Sequence, residues 1–236
     1  MGRFREQYGD GSITKWDIFY YVYGLLHHPG YRARFADNLK RELPRIPFAP
    51  AGTDPSPQTP LPQSGARGAG KKQTSRKTTK RSIDESPLSP SAGRGVGGEW
   101  FWAFATAAKQ LAELHLNYEQ LEPFPLQFIV SPEFPLSYRV ESKMRLSRDK
   151  SSVAVNESLM LAGIPPQTYD YRLGNRSALE WVIDQYQVST DKRSGIRSDP
   201  NRPYDEQYIV RLIGQVIRVS VDTVRLVASL PAKYSE

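Results

Sequence analysis

Residues 138–173 read YRVESKMRLSRDKSSVAVNESLMLAGIPPQTYDYRL, and their short period decides the fold. Apolar residues arrive in brief runs: RVESKMRL at 139–146, SVAV at 152–155, SLMLAGI at 158–164 and YDYRL at 169–173. Charged turns and the Pro165–Pro166 pair break them apart. Runs this short between turn formers predict strands, and their close succession predicts a small, mostly antiparallel sheet. Outward from it the period lengthens. Leu179, Val182, Ile183 and Tyr186 form the apolar stripe of a helix over 177–187. Ile209, Leu212, Ile213, Val216, Ile217, Val224 and Val227 share one face of a long helix that ends before Pro231. Upstream, Phe101, Phe104, Ala108, Leu111, His115 and Tyr118 recur by threes and fours, predicting a helix of about five turns. Near the start, Ile13, Trp16, Phe19, Tyr20, Tyr23 and Leu26 mark a helix, and HHPG at 27–30 turns the chain into a second one carrying Tyr31, Phe35, Leu39 and Leu43. Pro44 and Pro47 then enforce an extended segment. The expected class is α+β, with a helical hairpin and long helices packed on a small, mostly antiparallel sheet.

Between Ala51 and Gly98 there is no aromatic residue, and 26 of 48 positions are Gly, Pro, Ser or Thr, too few apolar groups to offset the entropy of ordering. The division expected is a hairpin over 1–49, a disordered insertion over 50–98, and the main α+β part of the same domain over 99–236. The insertion holds eight Lys/Arg against three Asp/Glu, so of the formal charge of +7 only +2 belongs to the rest. Bulk charge is therefore weak evidence for a basic face on the folded part. The basic centre KKQTSRKTTKR at 71–81 reads as a solvated linker able to touch phosphates loosely. No run of apolar residues is long enough to span a bilayer and the start, MGRFRE, lacks a secretory signal, so a cytoplasmic location without membrane contact is expected.

Most catalytic chemistries find no residues here. The chain has no cysteine, which excludes thiolate metal sites, disulfides and cysteine nucleophiles, and its three histidines leave little for a metal centre or a Ser/His/Asp set. His115, alone on an apolar helix face, reads as a packed residue rather than a ligand. GARGAGKK at 65–72 approaches a phosphate-binding loop, but Lys72 stands where a hydroxyl residue should hold magnesium, and neither strand nor helix flanks it. VGG at 96–98 reads as the linker's tail. Pro165–Pro166 lacks the preceding Asn/Asp and following aromatic that an adenine methyltransferase uses on a flipped base. Asp84 and Glu85 lie in the insertion, and no carboxylate set singles out a nuclease site. No cofactor, no metal and no catalysis by this chain are expected.

Four ordered blocks carry a resemblance. They are YVYGLLHHPGYRARF at 21–35 running through Leu39 to LPRIPF at 43–48; FWAFA at 101–105 with LAELHLNYE at 111–119; LAGIP at 161–165 leading through Tyr171 to SALEWVIDQYQV at 177–188; and TDKRSGIRSDPN at 190–201. Together they resemble the C-terminal specificity domain of type ISP restriction-modification enzymes, in which one polypeptide joins nuclease, helicase-like motor, methyltransferase and target recognition. The first block also occurs more widely in fused restriction-methylation enzymes; the third and fourth are the most specific. The resemblance covers nearly all of the chain outside the insertion. In the family this domain follows a methyltransferase, and this chain starts about where that domain would end, so a split enzyme, a truncated remnant or a reused domain is expected.

The resemblance implies recognition of a double-stranded DNA target for phage defence, with catalysis on a separate methyltransferase/helicase-nuclease polypeptide. Base edges are read by Arg or Lys at guanine and Asn or Gln at adenine, while phosphate contacts only orient the reader. From charge in loops, the candidates are Lys143, Arg145, Arg148 and Lys150 around the first strand turn, Arg172, Asn175 and Arg176 in a glycine-containing turn, and Lys192, Arg193 and Arg197 in the fourth block. A solvated surface charge is the competing reading, as readable for the set and more readable for any one residue. Asp191, Ser194 and Asp199 are of the type that closes its own turns and would make that block rigid. Trp16, Phe19, Tyr20 and Tyr23 could stack on single-stranded bases, but their helical spacing favours core or a docking face. The competing function is a protein-interaction module that docks on a separate methyltransferase or helicase and touches DNA only nonspecifically.

Overall fold

The computed structural model describes residues 1–48 and 96–231; the proposed insertion, with its basic centre and its glycine-rich GARGAGKK, lies outside the described residues except for its last three positions. Those three, VGG, form the first turn of a helix rather than a linker tail. The class is α+β. In chain order come α1 (Gly2–Tyr8), α2 (Lys15–His27), α3 (Pro29–Arg34), α4 (Ala36–Leu39), α5 (Val96–Leu116), β1 (Gln127–Val130), β2 (Arg145–Leu146), β3 (Ser152–Ala154), β4 (Leu159–Ala162), β5 (Arg172–Leu173), β6 (Arg176–Ser177), α6 (Ala178–Gln185), β7 (Ser189–Thr190), β8 (Arg197–Ser198) and α7 (Tyr208–Ala228).

The N-terminal helices gather an aromatic core. Thr14 and Asp17 start α2 with a reciprocal capping box, each satisfying a backbone amide of the other. Tyr21 and Leu25 of α2 are fully buried against Trp100, Phe101 and Phe104 of α5. The two helices approach closely at Gly24, where an added Cβ would stand 3.0 Å from the Ala108 Cβ. The extended segment after the second proline-bounded turn is fastened by tyrosines: the Tyr21 hydroxyl donates to the Pro47 carbonyl at 2.6 Å and Tyr31 to that of Arg45 at 2.7 Å. His28 accepts from the Tyr31 amide at 3.2 Å to cap α3, and its other ring nitrogen lies 3.0 Å from the Pro231 carbonyl, tying the residues just past α7 to the N-terminal helices.

Two details of this region depart from the spacing-based expectation. The buried stripe of α2 runs through Tyr21, Gly24 and Leu25, whereas Trp16 is 67% and Phe19 48% exposed. A helix rich in aromatics on more than one face offers two candidate stripes, and the one facing α5 wins because its glycine permits close approach. The second helix breaks at Phe35 into α3 and α4 and ends at Leu39, leaving Leu43 89% exposed.

The sheet has strand order β1-β4-β3-β2, antiparallel throughout, with Val130 opposite Leu159, Val153 opposite Leu161 and Arg145 opposite Ala154. Val153, Val155, Leu159 and Leu161 point into a second core shared with Leu179 and Ile183 of α6 and Ile209, Leu212, Ile213 and Ile217 of α7. The strand β1 lies upstream of the stretch read as sheet-forming. Its residues QFIV do not alternate and all four are exposed, so periodicity carried no signal for it. Conversely, most of 139–146 is irregular, with Val140 and Met144 buried and only Arg145–Leu146 in a strand. The remaining strands form two small hairpins, β5-β6 and β7-β8.

The helix α7 spans the molecule. Its first half packs on the sheet, while Val227 and Leu230 at and beyond its end reach the aromatic core. At Gly214 an added Cβ would meet the Pro123 Cβ at 2.8 Å, and the Gly214 carbonyl accepts from the Phe124 amide at 3.0 Å, so the segment entering β1 lies directly on the helix backbone. Among the described residues no helix is long and apolar enough to cross a membrane.

Candidate nucleic-acid interface

The turn SRDK at 147–150 joins β2 to β3. Asp149 organises it by accepting from the Ser147 hydroxyl at 2.6 Å and the Ser151 hydroxyl at 2.7 Å, which holds its carboxyl down at about 2. Lys150 closes the turn at φ 59°, a left-handed conformation that a non-glycine residue adopts only under local constraint. The constraint is visible. Its carbonyl accepts from the Tyr169 hydroxyl at 2.8 Å, and its ammonium lies 2.9 Å from Glu180 and 4.8 Å above the Tyr169 ring.

The hairpin β5-β6 turns at Gly174–Asn175, with Gly174 at φ 73° in the first turn position, where hairpins of this length place glycine. Arg172 donates to the Asn175 carbonyl across the turn. Ser177 then caps α6 in a second capping box with Glu180, so hairpin and helix are joined without slack. Glu180 is drawn down to about 2, first by the Lys150 hydrogen bond and then by the Ser177 amide. One turn further along α6, Asp184 accepts from Lys143 and, at 2.7 Å, from Arg176, and these two cations hold its carboxyl below the usual range. Arg176 is steadied from the other side by the Trp181 ring, 5.3 Å from its guanidinium carbon, and Trp181 donates to the Leu173 carbonyl at 2.9 Å.

These segments enclose an open cleft of about 430 Å³ lined by Lys143, Lys150, Arg172, Asn175 and Arg176, with Tyr169, Glu180 and Asp184. Half of the residues singled out from charge alone thus meet in one place, brought from two stretches separated by the β3-β4 pair. Arg145 faces a neighbouring hollow of about 610 Å³ that it shares with Lys143, Arg139 and Asn156. Arg148 is exposed at the tip of the 147–150 turn and lines neither.

The fourth block forms the β7-β8 hairpin, exposed from Ser189 to Asp199. Asp191 accepts from the Ser194 amide at 2.6 Å, the Ser194 hydroxyl at 2.8 Å and the Arg193 amide at 3.0 Å, and Gly195 takes φ 70°. Those hydrogen bonds, the Ser194 amide first, lower the Asp191 carboxyl. Lys192, Arg193 and Arg197 project from this closed turn, and with Arg145 and Arg148 they make no side-chain ion pair among the described residues. Asp199 accepts from both nitrogens of Asn201 and from Arg139, and Asn201 in turn exchanges two hydrogen bonds of 2.8 Å with the Val140 backbone. This clamp fixes the base of the hairpin to the irregular segment that leads to Lys143.

Several contributors escaped sequence reasoning: Arg139, Asn201, Tyr169, Trp181 and the carboxylates Glu180 and Asp184. Only Glu180 carried a legible signal, as the third residue after Ser177 in a capping pattern. His115 is a half-buried packed residue, with the Tyr23 hydroxyl 2.7 Å from Nδ1, Thr223 Oγ1 2.8 Å from Nε2, and the Tyr171 ring stacked at 5.4 Å. Burial, with the neighbouring His27 charge, lowers its pKa to about 4. Among the described residues no group of His, Asp and Glu is arranged to hold a metal ion.

A model of the Type ISP C-terminal specificity domain matches residues 1–54 and 97–212. Among solved structures, the chain is similar to a nuclease-deletion mutant of the Type ISP restriction-modification enzyme LlaGI in complex with a DNA substrate mimic, at 31% identity and TM-score 0.67 over 95% of this chain and 17% of that one. It is also similar to the ATP-dependent Type ISP enzyme LlaBIII bound to DNA, at 29% identity and TM-score 0.68 over 96% of this chain and 12% of that one. A DrdV–DNA complex matches at 30% identity and TM-score 0.68 over 98% of this chain and 19% of that one. The chain therefore spans less than a fifth of each of these proteins. Among curated protein sequences no match is found.

Proposed function

Since this chain belongs to the Type ISP C-terminal specificity domain family, we propose that it reads a double-stranded DNA target, while bond-making and bond-breaking take place on a separate methyltransferase and helicase-nuclease polypeptide in the cytoplasm. The observation that carries the reading is the convergence of Lys143, Lys150, Arg172, Asn175 and Arg176 on one open cleft. Such a set combines guanidinium groups suited to guanine O6 and N7 with an amide suited to adenine N6 and N7. Lys192, Arg193 and Arg197 on the β7-β8 hairpin, with Arg145 and Arg148, supply cations without an ion-pair partner among the described residues for phosphates flanking the site. Asp191, Ser194 and Asp199 serve this role only as architecture, by fixing the hairpin. The three similar structures are all described as DNA-bound, which supports the same use of this fold here.

The test is selection from a pool of random duplexes, with and without the methyltransferase polypeptide. Enrichment of one motif, lost in Arg172→Ala, is the expected result; no motif under either condition overturns the reading.

A second reading is favoured by a specific observation. Trp16 and Phe19 stand exposed on α2 and pack edge to face at 5.8 Å, with Tyr20 and Tyr23 continuing the ladder. A preordered aromatic surface of this kind suits docking to a partner protein. It is compatible with DNA reading by the cleft and becomes the primary function only if selective binding fails.

A further inference from the structure

The cleft carries its own counter-ions. Four cations, Lys143, Lys150, Arg172 and Arg176, face two carboxylates, and the carboxylates are spent on three of those four. Asp184 alone bridges Lys143, which is 41 residues away, and Arg176, which is 8 away. Among the described residues, Arg172 has only the Asn175 carbonyl.

Accepting that this cleft receives DNA, we propose that Asp184 is the residue that sets discrimination, by occupying on Lys143 and Arg176 the positions a backbone phosphate would take. A carboxylate and a phosphate compete for the same charge-assisted N–H groups. A non-target duplex offers phosphates without base-edge acceptors in register, so it must displace a formed pair and gains little. A target duplex also offers base-edge acceptors in register, and those contacts repay the exchange. Discrimination is a difference of affinities and is raised as effectively by weakening the wrong complex as by strengthening the right one. Glu180 acts similarly on Lys150, but it is also half of the α6 capping box, so its removal would disturb the helix itself. The Asp184 carboxylate makes no capping contact, and its substitution isolates the electrostatic role.

The experiment uses the full chain carrying Asp184→Asn, titrated with a random-sequence duplex of fixed length at several salt concentrations, and with the selected target. Affinity for the random duplex is expected to rise about 3–10-fold near physiological salt, and the log–log salt slope to steepen by about one. The ratio of target to random affinity falls, and Asp184→Glu restores the original slope. A second variant guards against misfolding of the first: Lys143→Gln removes a masked cation and is expected to weaken random-duplex binding less than Arg172→Gln, which removes an unmasked one. Unchanged or weaker random-duplex binding in a folded Asp184→Asn chain overturns the masking, as does an equal or larger loss in Lys143→Gln. Either result in a wild-type chain that selects a motif sinks the masking alone. If the wild-type chain selects nothing, the DNA-reading function fails and the masking falls with it.

Discussion

His115 joins the two cores, because its ring is held between Tyr23 of α2 and Thr223 of α7 and stacks on Tyr171 ahead of β5. Both nitrogens are satisfied by a neutral imidazole, one donating and one accepting, and burial together with His27, 5.5 Å away, opposes a proton on the ring. The folded state therefore holds His115 neutral down to about pH 4, against 6.5 for a free side chain. Between those values the unfolded chain binds the extra proton, so stability is complete above the unfolded value and falls as pH drops toward the folded one. A shift of this size corresponds at its limit to roughly 3 kcal/mol, and partial solvent access reduces that to about 1–2 kcal/mol. The perturbation is His115→Gln, which preserves polarity but does not titrate. It should cost about 1 kcal/mol near neutral pH for one weakened hydrogen bond, and this deficit should shrink or reverse by pH 4.5. The assay is urea unfolding of both proteins across that range. His28, which is also shifted down by burial, titrates in both proteins and cancels in the difference; His27, coupled to His115, is replaced by Gln in both proteins so that it adds no difference of its own. A stability difference that stays constant with pH would refute the reasoning.

Gly214→Ala should destabilise by about 1–3 kcal/mol despite alanine's better helix propensity, because its Cβ would meet Pro123 at 2.8 Å; a rise in the thermal midpoint would contradict the close approach. Ser177→Ala removes the α6 cap at the foot of the β5-β6 hairpin and should cost about 1 kcal/mol in denaturant unfolding, with faster amide exchange in 172–176 as its local signature. Trp16→Ala with Phe19→Ala should change stability by less than about 1 kcal/mol, as both rings are exposed; if they form a docking face, association with the methyltransferase polypeptide weakens at least tenfold while target selection by the isolated chain is retained. Deleting residues 51–95 should lower the salt slope of random-duplex binding without abolishing motif enrichment, and loss of all DNA affinity on deletion would transfer the electrostatic role to that basic stretch.

What could be read directly from the residues is what local chemistry encodes. The 3.6-residue stripes of α5, α6 and α7, the two prolines that extend 44–47 and the turn formers between short apolar runs each specify a conformation within one segment, and the α+β class follows from their order. Segments without such a signal were lost: β1, whose QFIV is exposed on both faces, and the true buried face of α2, where several aromatic stripes competed. The candidate cations were nameable from sequence because loops advertise charge, but their grouping was not. Lys143 meets Asp184 only because the sheet, the β5-β6 hairpin and α6 pack around a shared core, and Arg176 is steadied only because Trp181 lies beneath it. Pairing across 41 residues depends on how elements dock, and docking is decided by shape and burial summed over the whole core, which no single stretch of the chain contains.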